Sequence, residues 1–230
     1  MNAQSAQSTT ELISLIKTHL FTSVIGDVMD TLGLTHQFLP PEISALRPDM
    51  IVCGRAMTAL QADCASTTIS AEGENAPFGL LFEALDSLKE NDVYVTTGAS
   101  EPYACWGELM TTRAIQLGAV GAVINGFSRD TYGISKLDFP TFSAGKYGQD
   151  QSVRGRVIDY NCPLEFPNHT RVDPGDLILG DMDGVIAIPH LREKEILELS
   201  LEKAGKENTV KEAIINGMSA TEAWNRFGVL

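Results

Sequence analysis

A single α/β domain followed by a helical extension is the fold class this sequence predicts, on three observations. The chain has 230 residues, 43% of them hydrophobic and 20% charged, enough to bury one sizeable core. A helix, a glycine and an apolar strand recur as a unit: "GELMTTRAIQLG" is followed by "AVGAVI", the grammar of α/β folds. Beyond Leu191 the pattern turns helical and charged. The expected division is a flexible tail over 1–9, an α/β core over 10–190 and a C-terminal helical extension over 191–230 that packs on the core or on a neighbouring subunit.

The elements follow in order. "TELISLIKTHL" places Leu12, Leu15, Ile16 and Leu20 on one helical face, with Thr10 as N-cap. A short helix over 23–32 ends at Gly33, a good residue just past a helix end. Pro40, Pro41 and Pro48 make 34–49 an extended loop. "MIVCGRAMTAL" reads as a strand with a bend at Gly54. Residues 62–77 are small, polar and acidic, a loop near a surface or a site. "FGLLFEALDSLKE" is an amphipathic helix, and "DVYVTTG" is a strand ending in glycine. Past residue 130 come short strands, "PTFSA", "GRVIDY" and "DLILG". Asp183-Gly184 marks a hairpin between two apolar runs. "ATEAWNRFGVL" adds a last short helix.

Composition excludes several classes. A net charge of −13 would repel a nucleic-acid backbone. No run of about 18 apolar residues predicts a membrane span. The polar start "MNAQSAQSTT" lacks the basic and apolar regions of a signal peptide. The four cysteines, Cys53, Cys64, Cys105 and Cys162, show no CxxC pair, so reduced thiols in a cytoplasmic protein are expected. His19, His36, His169 and His190 lack metal-ligand spacing.

One constellation carries chemistry. "NGFSRDTYG" follows the apolar run "GAVGAVI" and sets Arg129 beside Asp130. Twenty residues, one helix and one strand, separate Arg129 from Glu108. In a compact α/β unit the start of that helix and the end of that strand can share one edge. Gly107, Glu108, Leu109 and Met110 then face Arg129 and Asp130 across a crevice. Helix-start amides favour an anion, and Gly107 lets a ligand approach the backbone. Arg129 offers a planar fork to a carbonyl or enolate oxygen. Asp130 offers a carboxylate to Mg²⁺ or Mn²⁺. Together they suit cleavage beside a 2-keto acid. The plain alternative is a loop ion pair of less than about 1 kcal/mol and an acid favourably placed in a helix first turn. Tyr103 and Trp106 are candidates for the pocket wall, with buried packing as the alternative.

"WGELM", twenty residues, then "RD" resembles the acid–x20–Arg-Asp motif of the RraA-like superfamily. The resemblance extends to "GRVIDYNCPLEF", "VDPGDLILGDMDGVIAIP" and "GKENTVKEAI", most of residues 20–215. Its enzyme branch consists of class II 4-hydroxy-4-methyl-2-oxoglutarate/4-carboxy-4-hydroxy-2-oxoadipate aldolases that also decarboxylate oxaloacetate. The resemblance implies an α/β sandwich related to swivelling phosphohistidine domains, assembled as a homotrimer or homohexamer. It implies that the amides of Gly107 to Met110 bind the pyruvate-like end, that Arg129 contacts the keto oxygen, and that Asp130 ligates the metal. It implies too that a metal-bound or nearby water takes the substrate hydroxyl proton. Glu207 matches an acid that reaches the site from the adjacent subunit. One departure stands out: the aldolase motif often continues, after two more residues, to another acid, and here that place is Gly133. The missing acid leaves the second shell thinner or supplied by another acid, and weighs more against aldol cleavage than against decarboxylation.

Other chemistries lack their signatures. Lys136 and Lys146 do not sit in an apolar strand, as a Schiff-base lysine would. Ser128 has no G-x-S-x-G elbow, and "GASEPYACWGE" lacks the glycines and Lys-Ser/Thr of a phosphate loop. Two classes remain: a divalent-metal-dependent lyase for small 2-keto acids, and a non-enzymatic regulator of ribonuclease activity that docks on a protein partner, for which an acidic surface suits a basic protein.

Overall fold

The computed structural model of the protein describes residues 9–64, 78–100 and 102–228. Helices α1 (Thr9–His19) and α2 (Thr22–Thr31) come first, and Gly33 follows with φ +78°. Thr10 lies inside the first turn of α1 rather than at its cap, and the face it buries is Ile13 and Ile16, with Leu20 just beyond. The expected tail, apart from Thr9, lies outside the described residues, as does 65–77 of the expected loop.

The strands are β1 (Ser44–Ala45), β2 (Val52–Asp63), β3 (Asp92–Thr97), β4 (Ala104–Trp106), β5 (Gly121–Ser128), β6 (Thr141–Lys146), β7 (Gly155–Tyr160), β8 (Leu164–Glu165), β9 (Arg171–Val172), β10 (Leu177–Asp181) and β11 (Gly184–Ile188). Between them lie α3 (Leu81–Asp86), α4 (Glu108–Gln116) and α5 (Thr131–Lys136); α6 (Glu193–Ile215) and α7 (Ala220–Phe227) close the chain. One sheet runs β1-β6-β5-β3-β2-β10-β11, with β4 added to β5 and β7 to β2. Its centre, β2-β3-β5-β6, is parallel.

Alternation along these strands shows why the sheet curls. Val93, Val95 and Val123 share one buried cluster with Phe142 and Ile178, while Tyr94, Ala122 and Ile124 join another with Leu81 and Ala114. On β10 and β11, Ile178 and Ala187 face the first cluster, while Leu177, Leu179 and Ile186 pack with Ile16, Ile25 and Ile196. Successive side chains point to opposite faces, so both faces are buried and the runs are near-continuously apolar. The shared cluster is the interior of the curled sheet, and α3 and α4 on one side and α1, α2 and α6 on the other cover its outside. The edge strands β1 and β11 approach each other, and Phe38 bridges to Ile186. The α/β class is as expected, but the sheet is nearly closed and barrel-like rather than a flat layer.

Several local expectations change. Gly54 is no bend: β2 runs through it, and a Cβ there would strike the Asn91 carbonyl oxygen. The 78–90 helix shrinks to the six residues of α3. The β10–β11 hairpin forms, but Asp181 pairs with Gly184, so its turn residues are Met182 and Asp183. The strands β1, β4, β8 and β9 are too short for a periodic signal, and α5 stands where only strands were expected. The first half of α6 packs on α1 and α2 through Ile196, Leu197 and Ala204. It is fastened by Lys203 Nζ to Asp27 Oδ2 at 3.0 Å and by Glu193 to Arg55 on β2.

Candidate active site

The short strand β4 positions the site. Trp106 pairs with Ser128, the last residue of β5, and Arg129 N donates to the Trp106 carbonyl oxygen at 2.9 Å. That register sets Gly107, which opens α4, directly beside Arg129. A Cβ on Gly107 would lie 2.9 Å from Asp130 Oδ2 and 3.6 Å from Arg129 Nε. Gly107 is extended and carries no side-chain cap, so the first amides of α4 remain without intrahelical partners.

Asp130 precedes α5 in the left-handed region, with φ 55°, a conformation that Asp tolerates better than most residues. Its carboxylate does not cap its own helix. Instead Asp130 Oδ2 accepts from Glu108 N at 3.4 Å, across the crevice. Arg129 lies between two acids, with Nε 3.7 Å from Asp130 Oδ2 and Nη1 3.3 Å from Asp150 Oδ1. All three side chains are half-buried. The Glu108 carboxylate lies over Gly133, where a Cβ would come within 2.6 Å of Glu108 Oε1 and closer still to Oε2.

These groups edge a cavity of about 260 Å³ that Gly107, Leu109, Met110, Arg129 and Asp130 all line. Its other wall is apolar, built from Phe78, Leu81 and Phe82 of the α3 region and from Trp106. Trp106 is fixed by Nε1 donating to Thr111 Oγ1 at 2.8 Å and by the rings of Tyr94 and Phe139. Tyr103 instead packs behind the wall and donates its hydroxyl to Asp63 at 3.0 Å. Cys105, on the cavity wall, is pushed up to about 12 by burial and is a neutral thiol.

The structure thus brings Gly107 to Met110, Arg129 and Asp130 together. Glu207 is elsewhere: it sits on α6, 3.5 Å from Lys203 Nζ, and lines a separate surface hollow with Phe21 and Ile214. It does not reach its own chain's cavity. Asp150 and the buried Gln151 line the cavity and were not singled out in the sequence, where "GQDQS" carries no motif. Lys136 lies 4.1 Å from the Tyr132 ring, and all four histidines are exposed. Among the described residues no three His, Cys, Asp or Glu side chains cluster as metal ligands, so an ion here would rest on one or two carboxylates, Asp130 among them, with water and ligand oxygens. No single described helix is long and apolar enough to cross a membrane.

The family described as RraA-like, Aldolase/RraA, matches residues 22–187. The chain belongs to this family. It is similar to a protein of Halalkalibacterium halodurans named "Putative 4-hydroxy-4-methyl-2-oxoglutarate aldolase", 28% identical over 204 residues that cover 88% of this chain and 89% of that one. It is also similar to Protein DlpA of Legionella pneumophila, 26% identical over 200 residues, 86% of this chain. The chain spans only 31% of DlpA's length. Among solved structures, Streptomyces coelicolor RraAS2, described as an unusual member of the RNase ES inhibitor RraA protein family, superposes with a TM-score of 0.74 at 19% identity, over 90% of this chain and 98% of that one. At that identity the likeness shows a shared fold. The RraA family thus includes proteins named as aldolases and proteins named as inhibitors.

Proposed function

We propose that this RraA-family chain is a divalent-metal-dependent lyase that cleaves a C–C bond beside a small 2-keto acid, releasing a pyruvate enolate. One observation carries the reading: the open amides of α4, the Arg129 fork and the Asp130 carboxylate converge on a single cavity. The substrate carboxylate lies on the amides of Gly107 to Met110, of which Glu108 N already donates a long bond to Asp130 Oδ2; N–H groups at a helix start favour an anion. Arg129 donates to the keto oxygen and strengthens that bond as negative charge builds during cleavage. Asp150 Oδ1 meets the guanidinium at Nη1, 3.3 Å away, and helps to orient it. The Asp130 carboxylate is half exposed and receives only a long bond from Glu108 N and a loose contact from Arg129, which fits a ligand position. Mg²⁺ or Mn²⁺ bound there supplies Lewis-acid polarisation of the keto oxygen. Retro-aldol cleavage of 4-hydroxy-2-oxo acids and decarboxylation of oxaloacetate both pass through this enolate. Glu207 belongs to the proposal only through a homotrimer or homohexamer that carries it to a neighbouring copy's cavity.

The test is release of pyruvate from 4-hydroxy-4-methyl-2-oxoglutarate, from related 4-hydroxy-2-oxo acids and from oxaloacetate, with Mg²⁺ and with EDTA. Metal-dependent release that is lost in Asp130→Asn, with the fold retained, is the expected result. No release from any substrate with either metal would leave the regulator reading, an acidic surface docking on a basic protein.

A further inference from the structure

Gln151 lines the cavity, and the proposed chemistry leaves it idle. It is 2% exposed, and neither its Nε2 nor its Oε1 has a hydrogen-bond partner among the described residues. A buried amide unpaired at both ends is costly, and such a group calls for a ligand or an ordered water to complete it. The other unpaired buried groups, the Gln61 amide and the Tyr94 and Ser128 hydroxyls, do not line this cavity. The Gln151 backbone is held on both sides. Its N–H donates to Asp150 Oδ1 at 2.8 Å, and its carbonyl oxygen accepts from Arg154 N at 2.6 Å and Gly155 N at 2.9 Å. The segment is tied to β4, because Ala104 N donates to the Gln149 carbonyl oxygen at 2.8 Å. The same Asp150 carboxylate contacts Arg129, so Gln151 follows directly on the partner of the group assigned to the keto oxygen. Its carboxamide makes no bond of its own, so turning it toward a ligand breaks none. It presents a donor beside an acceptor. A carboxylate alone completes only Nε2. A hydroxyl on the carbon next to a carboxylate completes both, the hydroxyl donating to Oε1 and a carboxylate oxygen accepting from Nε2.

We propose that Gln151 is a specificity-determining residue that binds a hydroxyl and its neighbouring carboxylate at the end of the substrate remote from the pyruvate moiety. This deepens the lyase reading and rests on it: the substrate class is the 4-hydroxy-2-oxo diacids, whose 4-hydroxyl lies next to the second carboxylate. Oxaloacetate carries no hydroxyl there and leaves Oε1 unpaired. A site built to bond a substrate hydroxyl discriminates against an analogue that lacks it, so Gln151 favours aldol substrates over oxaloacetate. It holds the hydroxyl in place and does not take its proton, since a neutral amide is no base.

The test is calorimetric titration of the full chain with Mg²⁺ and two stable diacids, 2-hydroxyglutarate (each enantiomer) and glutarate. Neither has the 2-oxo group that cleavage requires, and they differ only in the hydroxyl beside a carboxylate. One enantiomer of 2-hydroxyglutarate is expected to bind roughly tenfold more tightly than glutarate, the scale of a hydroxyl that completes a buried polar group. Gln151→Met, similar in length but without the amide, is expected to abolish that preference and to melt at an equal or higher temperature, because it removes unpaired buried polar atoms. Equal binding of the two diacids to the unaltered protein, no binding of either, or a preference that persists in Gln151→Met overturns the proposal. A lowered melting temperature in Gln151→Met overturns it too, marking the amide as a structural group bonded to internal water. In turnover, Gln151→Met is expected to lower kcat/KM for 4-hydroxy-4-methyl-2-oxoglutarate by roughly tenfold or more and to change that for oxaloacetate far less; equal losses on both overturn the assignment. A hydroxyl preference without pyruvate release from any 4-hydroxy-2-oxo acid counts against the lyase reading and leaves the role of Gln151 in binding intact.

Discussion

The Glu108 carboxylate fills the space that a side chain at Gly133 would need. The position where a further acid often continues the Arg-Asp motif is a bare Cα, and an acid from the opposite segment lies over it. Gly133→Ala therefore cannot be accommodated without moving Glu108. The expected outcome is a drop in kcat/KM of roughly tenfold, with stability changed by about 1 kcal/mol or less. Glu108→Ala combined with Gly133→Asp is expected to be more active than Glu108→Ala alone, and a double-mutant cycle measures the coupling. Simple additivity would separate the two positions functionally.

Gly107 is constrained by its neighbour rather than by its backbone. Its φ of −153° suits alanine, but the added Cβ would press on Asp130 Oδ2 at 2.9 Å. Gly107→Ala is expected to fold normally and to lose on the order of a hundredfold in turnover, the scale of a displaced reacting group. Thermal melting and steady-state kinetics on one preparation check both halves.

Arg129 faces Asp130 and Asp150 together, a geometry that one ammonium cannot span while also reaching a ligand. Arg129→Lys is expected to lose about a hundredfold or more in kcat, the size of a lost transition-state donor. Near-normal kinetics would remove Arg129 from the reaction.

Glu193 holds the start of α6 to β2. Arg55 Nη2 reaches Glu193 Oε1 at 2.9 Å, a second nitrogen reaches Oε2, and the Glu193 side chain is 13% exposed. Hydrogen bonding to Glu193 also raises the Arg55 pKa. Glu193→Ala is expected to cost about 1.5–3 kcal/mol, as for lost hydrogen bonds to a charged group. Urea unfolding measures it.

Burial pushes the Cys53 and Cys105 thiols from 9.0 up to about 12. The unfolded thiols ionise first, so stability is full below pH 9 and falls between pH 9 and about 12. Each thiol removes up to about 1.4 kcal/mol per pH unit in that window. Unfolding midpoints at pH 8 and pH 10 in reductant are expected to differ by this sign, and Cys105→Ala is expected to lessen the difference. At pH 8, alkylation followed by mass spectrometry is expected to mark the half-buried Cys64 before Cys53 or Cys105.

Local chemistry was legible where one residue type has one physical consequence. Gly118 ends α4 in a positive-φ turn, and Val93 to Val95 and Ala122 to Ile124 form buried strands. Glycines just past their ends marked α2 and α4, a helical, charged pattern marked α6, and periodicity found α1 through its apolar face. It missed α5 because "TYGISK" buries only Ile134. It missed β4 because three residues hold no period, and β4 is the strand that aligns Gly107 with Arg129. Asp150 and Gln151 were silent for the same reason: an acid and an amide in a polar stretch signal nothing until folding carries them to a wall.

By itself the sequence determined the α/β class, the helix-start amides and the Arg129-Asp130 pair, because short-range patterning and turn chemistry act over a few residues. Tertiary structure alone decided that Glu108 covers Gly133, that Asp150 contacts Arg129, and that Phe78, Leu81 and Phe82 join the cavity lining. Those relationships join residues distant in the chain, and only strand register and the curl of the sheet set such distances.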